Sequence, residues 1–501
     1  MGVAGFWVVL ADCAATGTLI CCVGCGGSTN SSPHGSSSAS SASGSGGAII
    51  SNSSGSGGAG TGSGGVSQSS VANGCAYTGA CASSCRSANG TTVSGKVYDP
   101  ALRNPLYDVA VYIPGTKPSA FSQGASCYQC SDLYTGNPIS SALTAADGTF
   151  QLTNVPDGTN IPIVVQVGKW RMQTTLPNVS KCLDNPVPDK TLHLPTTHDE
   201  GDIPNIAVST GGADSLECLF QRIGVDPTEY VGGPGGSGRI HVYYGDGGAN
   251  TTPPAPNAWS SPGLWDSDAD LMAFDMILLS CEGHETTNMQ QQNLLDYANA
   301  GGRVFASHYH YAWFNTGPFA QYNLAHWTTG SQSTNTISAL IETTYLGGAF
   351  PKGVAMHDWL KNVGALTNDM LTIEESRHNA DVRTANEPPS VPWIVADQTN
   401  ATQYFSFDTP VTSAASSDAG GGACGRVVYS DLHVGGASGD YGQKPGGSGQ
   451  IPSGQVTPAG CANNPLSPQE KALEFMIFDL SSCLTSVSSQ PVPPPTGTGP
   501  R

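Results

Sequence analysis

Between residues 274 and 314 the chain changes its apolar period twice. Met276–Leu279 is an unbroken run of large apolar side chains, the length of a short buried strand. Within Asn288–Ala300, Leu294, Leu295, Tyr297 and Ala298 recur at helical spacing with no proline among them. Gly301-Gly302 supplies a left-handed helix stop, and Arg303–Ala306 is a second apolar run. Strand, helix and strand in that order predict a βαβ unit, with parallel strands and a right-handed crossover. Each strand is followed by polar residues with usable chemistry: Cys281-Glu282-Gly283-His284-Glu285 after the first, Ser307-His308-Tyr309-His310 after the second. In open α/β sheets, ligands collect beyond the carboxyl ends of the strands.

The same alternation continues on both sides. Strands are expected at Ile206–Val208, Arg239–Tyr244, Pro392–Ala396, Thr402–Phe407 and Gly425–Ser430. A helix through Leu216, Leu219 and Ile223 has Asp214 as its expected N-cap and Gly224 as its stop. Ala355–Val363 is a further helix. Ser467–Leu484 closes the region as a capped one, with Ser467 at the N-cap, Pro468 at N1 and Glu470 at N3. Residues 202–484 therefore read as an open, mostly parallel α/β sheet.

Upstream, over Thr91–Leu194, the period is two. Val93–Tyr98 and Val109–Ile113 alternate, Asp147-Gly148 signals a hairpin before Phe150, and Ile161–Trp170 reads as one long strand. A small β-sandwich over residues 75–197 is expected. Neither end of the chain is patterned for packing. Gly26–Gly74 is mostly Ser, Gly, Ala and Asn with no Asp, Glu, Lys or Arg, the composition of a flexible tether, and residues 485–501 are Pro-, Ser- and Gly-rich.

The first 25 residues carry a different kind of signal. Val3–Val23 is largely apolar, and Cys22-Val23-Gly24-Cys25 is built like a bacterial lipoprotein processing site, which makes Cys25 the expected lipidated residue. The basic n-region is missing, since no Lys or Arg precedes Arg86. Fifteen cysteines in 501 residues point the same way, to an exported protein on the cell envelope, with disulfides rather than a metal at Cys127-Tyr128-Gln129-Cys130. A net charge of −19 argues against nucleic-acid partners, which require basic surface.

Two resemblances sharpen this reading. Gly95, Val97, Asp99, Pro105, Val109, Val111, Asp147-Gly148 with Phe150, and Val155-Pro156 with Gly158 resemble the carboxypeptidase regulatory-like domains, which are transthyretin-like sandwiches. That resemblance implies a non-catalytic domain that spaces or presents its neighbour. Phe274–Leu279, Tyr297–Gly302, Val304–His308 and Gly425–His433 resemble the class I glutamine-amidotransferase-like fold, and within it the trehalose-utilisation (ThuA-like) group. This implies a flavodoxin-like sheet, with Gly425–His433 as the family's final strand and histidine. The amidotransferases carry a nucleophilic cysteine in the turn after the fourth strand. Here that turn is Ala306–His310 and holds none, which speaks against glutamine hydrolysis.

The chemistry left open is of three kinds. Cys281 is either a nucleophile beside His284, His308 or His310, or a buried thiol, or a disulfide partner of Cys218 or Cys424. Glu282, His284, Glu285, His308, His310, Asp431 and His433 all follow strands; they form a polar crevice, a divalent-metal site for zinc, manganese or iron, or no common site. Ser307 lacks the flanking glycines of a nucleophile elbow. Tyr309, Tyr311, Trp313, Phe314, Phe319, Tyr322 and Trp327 are either a stacking platform for a sugar or a loop core. The expectation is a non-catalytic protein binding a carbohydrate or protein ligand, with Glu282, His284, His308, His310, Tyr311, Trp313 and His433 as contacts. Its alternative is a hydrolase or sugar-modifying enzyme built on Cys281, Ser307, His308, His310 and His433.

Overall fold

The computed structural model describes residues 75–486 and Ser489, apart from positions 129, 247–258, 261, 288, 375, 384–388, 413–421 and 435–464. The signal segment with Cys25, the 26–74 tether and nearly all of the tail therefore lie outside the described residues.

Period-two patterning over the first part produces two packed sheets. One joins β4 (Thr149–Leu152), β1 (Thr92–Tyr98) and β7 (Asp184–Pro186), with β8 (Leu192–His193) also on β1. The other runs β3 (Pro138–Leu143), β2 (Ala110–Pro114), β5 (Gly158–Val167), β6 (Trp170–Val179) and β9 (Gly201–Asp202). Two local expectations need correction. Asp147-Gly148 makes a tight turn, with Asp147 Oδ1 accepting from Thr149 N at 3.0 Å, but no hairpin results: β3 pairs with β2 while β4 crosses to β1. Ile161–Trp170 is likewise not one strand. Gly168 at φ +54° reverses the chain, and β5 pairs antiparallel with β6. A Cβ on Gly168 would lie 1.9 Å from the Ser481 carbonyl oxygen, so glycine is required there twice over.

The second part forms a twelve-stranded sheet. Its path is β11 (Tyr230–Gly232), β12 (Ile240–Tyr244), β10 (Ile206–Thr210), β14 (Met276–Leu279), β15 (Arg303–Ser307), β25 (Gly425–Ser430), β24 (Thr402–Thr409), β23 (Val391–Ala396), β17 (Ile337–Ile341), β21 (Met370–Ile373) and β20 (Leu366–Thr367). A twelfth strand, β13 (Trp259–Ser260), lies beside β12, and two short pairs stand apart: β16 (His326–Trp327) with β22 (Ala380–Asp381), and β18 (Thr344–Tyr345) with β19 (Gly348–Ala349). The βαβ unit forms as patterned, Met276 opposite Arg303, with α4 (Gln291–Asn299) between the strands.

The sheet as a whole is mixed, parallel on one side and antiparallel on the other. Pairings from β11 to β25 are parallel, and those from β25 to β20 are antiparallel. The cause is local. β23 and β24 are separated only by Asp397–Ala401, too short for the dozen or more residues that a parallel crossover needs. Among the described residues the protein is multidomain and mostly β. The helices are few: α1 (Glu217–Arg222), α2 (Pro262–Trp265), α3 (Asp268–Met272), α4, α5 (Ala312–Asn315), α6 (Pro351–Asn362) and α7 (Pro468–Ser481). Asp214 does not cap α1, whose N-cap is Leu216 without a side-chain bond. The capping box expected at Ser467 and Glu470 does form on α7.

One face of the large sheet is covered by α3, α4 and α5. The other packs on α7 and, through it, on the sandwich: Phe475 stacks on Tyr107 and Phe478 meets Trp170 edge-on, each at 5.9 Å. Two disulfides cross the same seam, Cys127–Cys424 and Cys130–Cys483, while Cys75–Cys81 and Cys85–Cys182 stay within the first part. The CxxC pair is thus a double staple and neither a metal nor a redox motif. Removing Cys127–Cys424 as a Ser/Ser double variant is expected to cost about 2–5 kcal/mol of stability, read as a lowered denaturation midpoint under non-reducing conditions.

Also at the seam, Asp99 of the sandwich faces Glu474 of α7. Both are buried; Asp99 Oδ1 accepts from Arg103 N at 2.7 Å and Glu474 Oε2 accepts from Asn104 Nδ2 at 2.7 Å. The remaining oxygens, Asp99 Oδ2 and Glu474 Oε1, find no donor of their own, so the two carboxyls share a proton. Burial pushes Asp99 up to about 6 and, with the Asp99 charge, raises Glu474 well above the carboxylate range. The native state then holds protons that the unfolded chain releases near pH 4. This contribution is complete in acid and is lost as pH rises through about 6. Thermal unfolding is expected to shift down between pH 5 and 8, with a slope of up to about 1.4 kcal/mol per pH unit per proton. Glu474→Gln should flatten that slope.

Candidate functional site

The parallel half of the sheet brings three strand ends together. Past β14 comes Cys281, past β15 His308, and two residues past Asp431, beyond β25, His433; all three are buried. His308 begins a 3-10 turn, His308–Tyr311, and is held at φ +39°, a left-handed backbone unusual for a histidine. Its carbonyl accepts from the Tyr429 hydroxyl at 3.0 Å. One ligand atom from each of Cys281, His308 and His433 lies within 4.8 Å of the other two, with 3.4 Å between the Cys281 sulfur and His308 Nδ1. Among the described cysteines Cys281 is the free thiol, which excludes its pairing with Cys424, bonded to Cys127, or with Cys218, itself disulfide-bonded.

A strap from Ser376 to Ala380 lies over these ends, bridging to Leu432 through Ser376. Its hydrogen bonds assign the protons. Arg377 Nη2, which can only donate, reaches His433 Nδ1 at 3.2 Å, so a neutral His433 carries its proton on Nε2. That proton is donated to His308 Nδ1 at 3.0 Å. His308 then carries its own proton on Nε2 and donates it to Asn379 Oδ1 at 3.2 Å. The Asn379 amide cannot be flipped, because its Nδ2 donates to Thr328 O and Gly330 O at 2.6 and 2.7 Å. Asp431 anchors the strap by accepting from Asn379 N and Ala380 N, and its carboxyl is pushed up to about 7 by burial. Burial, then His433, then the Arg377 cation lower His308 to about 2, so its imidazole is neutral at any physiological pH.

The other candidates are dispersed. Ser307 Oγ donates to Asp214 Oδ2 at 2.7 Å, and Val434 N adds a second bond to the same oxygen, so Ser307 has a carboxylate and no histidine as its partner. His310 turns into the core, Nε2 on Ser280 O at 2.9 Å and its ring against Trp265, and burial lowers it to about 4. His284 is half exposed near Asp246, and Glu282 accepts from the Thr286 hydroxyl at 3.0 Å. Tyr311 donates to Glu285 and stacks on Trp327. Trp313, Phe314 and Phe319 are fully buried, so these aromatics form a loop core rather than an open platform for a sugar.

Arg377, Asn379 and Asp214 complete the site and escaped sequence reading. Arg377 and Asn379 stand in the polar run Arg377-His378-Asn379, with no apolar period to place them, and Asp214 precedes a helix like any cap. Asn379→Leu is expected to lower stability by about 1–3 kcal/mol, by stranding two loop carbonyls and the His308 N–H; a urea melt measures this.

No family model matches the chain, and no curated protein does either. Solved structures match weakly. The cytoplasmic protein STM3548 from Salmonella typhimurium is 9% identical over 46% of this chain and 88% of its own, with a TM-score of 0.25. A type II cohesin–X-dockerin complex from Acetivibrio cellulolyticus is 16% identical over 28% of this chain and 74% of its own, at 0.15. A beta-galactosidase from Rahnella sp. R3 is 9% identical over 46% of this chain and 29% of its own, at 0.23. At such scores none of them bears on fold or function.

Proposed function

We propose that this is an exported, envelope-anchored protein whose amidotransferase-like half binds a ligand at the carboxyl ends of its parallel strands without hydrolysing one. The observation that carries the reading is the turn after β15. The position where an amidotransferase-like sheet presents its nucleophile is occupied by His308, whose two ring nitrogens are engaged by His433 and Asn379. The neighbouring serine is tied to Asp214. The strand order β12-β10-β14-β15-β25, all parallel, supports the flavodoxin-like and ThuA-like assignment of this half. The two-sheet sandwich supports the regulatory-like assignment of the first part. The disulfides among the described residues support export, and the processing-site pattern at Cys22-Val23-Gly24-Cys25 makes Cys25 the proposed anchor.

A second reading, a hydrolase or sugar-modifying enzyme, is favoured by one observation, the approach of Cys281 to His308. The two are separated by assaying the purified protein for release of ammonia from glutamine and for hydrolysis of p-nitrophenyl esters and glycosides. No activity above that of a Cys281→Ala/His308→Ala variant is expected. Turnover that disappears in that variant would overturn the binding reading.

A further inference from the structure

Resting on the binding reading, we propose that the ligand held by Cys281, His308 and His433 is a thiophilic d10 metal ion, Zn(II) or Cu(I), and that Arg377 competes with it for His433. The donor set is one thiolate sulfur and two imidazole nitrogens, which suits those ions and leaves a coordination position open. Metal–nitrogen and metal–sulfur bonds of about 2.0–2.3 Å place ligand atoms about 3.3–3.6 Å apart in a tetrahedron. Two of the three separations, 3.4 Å from Cys281 Sγ to His308 Nδ1 and 3.0 Å from His308 Nδ1 to His433 Nε2, are within a few tenths of an ångström of that spacing, and the third pair, Cys281 and His433, lies within 4.8 Å.

The surroundings of the two histidines differ. Metal on His308 Nδ1 leaves the proton on Nε2, where Asn379 Oδ1 already accepts it; this is the outer-shell acceptor a ligating histidine requires. Metal on His433 Nε2 forces the proton onto Nδ1, where it meets the Arg377 guanidinium 3.2 Å away, donor against donor. Uptake therefore displaces Arg377 from His433, moves the His433 proton from Nε2 to Nδ1, and releases the Cys281 thiol proton to solvent. Arg377 keeps its hold on the strap through Nη1 on Ser376 O and through its own carbonyl, which accepts from Gln403 Nε2 at 2.7 Å. The ion thus also explains why a free thiol stands among described cysteines that are otherwise disulfide-bonded: ligation would shield it from oxidation.

The test uses the purified full chain, stripped with chelator and titrated with Co(II) as a spectroscopic probe, then with Zn(II) and with Cu(I) in competition. One Co(II) per chain is expected at this site, with a thiolate-to-cobalt charge-transfer band that is absent in Cys281→Ser. His433→Ala should weaken binding at least a hundredfold and Asn379→Leu about 10–100-fold, while Arg377→Met should tighten it about tenfold. Near-ultraviolet circular dichroism confirms that each variant is folded. A band that survives in folded Cys281→Ser places the metal elsewhere and overturns the proposal. So does an absence of metal binding in both the wild type and Arg377→Met. Weaker binding in Arg377→Met overturns the competing role of Arg377. Because the hydrolysis assays are run on metal-free and metal-loaded protein, Cys281-dependent turnover without metal would sink the binding reading independently.

Discussion

The architecture depends on one buried carboxylate. Asp479, in the last turn of α7, pairs with Lys352 of α6 at 2.6 Å and with Arg426 of β25 at 3.1 Å, and all three side chains are almost wholly buried. Burial by itself would raise the Asp479 carboxyl; the Lys352 and Arg426 cations outweigh it and hold the group below the usual carboxylate range. Arg426 is held in turn by Asp408 at 2.7 Å, so each charge has a counter-charge. Stranding any member costs about 3–5 kcal/mol, a large share of a domain's net stability. This cluster fixes α7 against the sheet. The same helix offers Phe475, Phe478 and Glu474 to the sandwich, so a single C-terminal element locks both parts together.

The site inherits its rigidity from that lock. α7 packs on β15 and β25, the strands that deliver His308 and His433. Gln469, in the first turn of α7, donates to the His433 carbonyl at 2.8 Å and accepts from Glu374 N at 2.9 Å. The helix therefore ties one histidine to the segment leading into the strap that carries Arg377 and Asn379. The left-handed backbone of His308 persists in this setting because Tyr429, Asn379 and His433 each hold it. The hydrogen-bonded chain runs from Arg377 through His433 and His308 to Asn379, and burial, His433 and the Arg377 cation keep His308 from taking up a further proton.

Much of this was legible before folding. Periods of 2.0 and 3.6 placed the strands of the βαβ unit, the capped α7 and the late strand before His433, because each is decided by residues within one turn or one strand of each other. The same local rules failed where pairing partners are distant. Asp147-Gly148 makes its turn, yet β3 and β4 go to different sheets, since the turn sets a reversal and the sandwich core sets the partner. The antiparallel half of the large sheet escaped notice for the same reason.

From the sequence alone came the βαβ unit, the capped α7, the late strand before His433, the richness in cysteine, and the absence of a nucleophilic cysteine from the turn at 306–310. Which of Cys281 and the seven polar candidates meet was settled by long-range packing. Cys281, His308 and His433 converge because β14, β15 and β25 are neighbours in register, although 125 residues separate the two histidines. His310, two positions from His308, faces the core, because a 3-10 turn rotates successive side chains about 120° apart. Proximity in the chain sets geometry over a few ångströms. Chemistry at a site requires convergence of strand ends, which long-range pairing alone supplies.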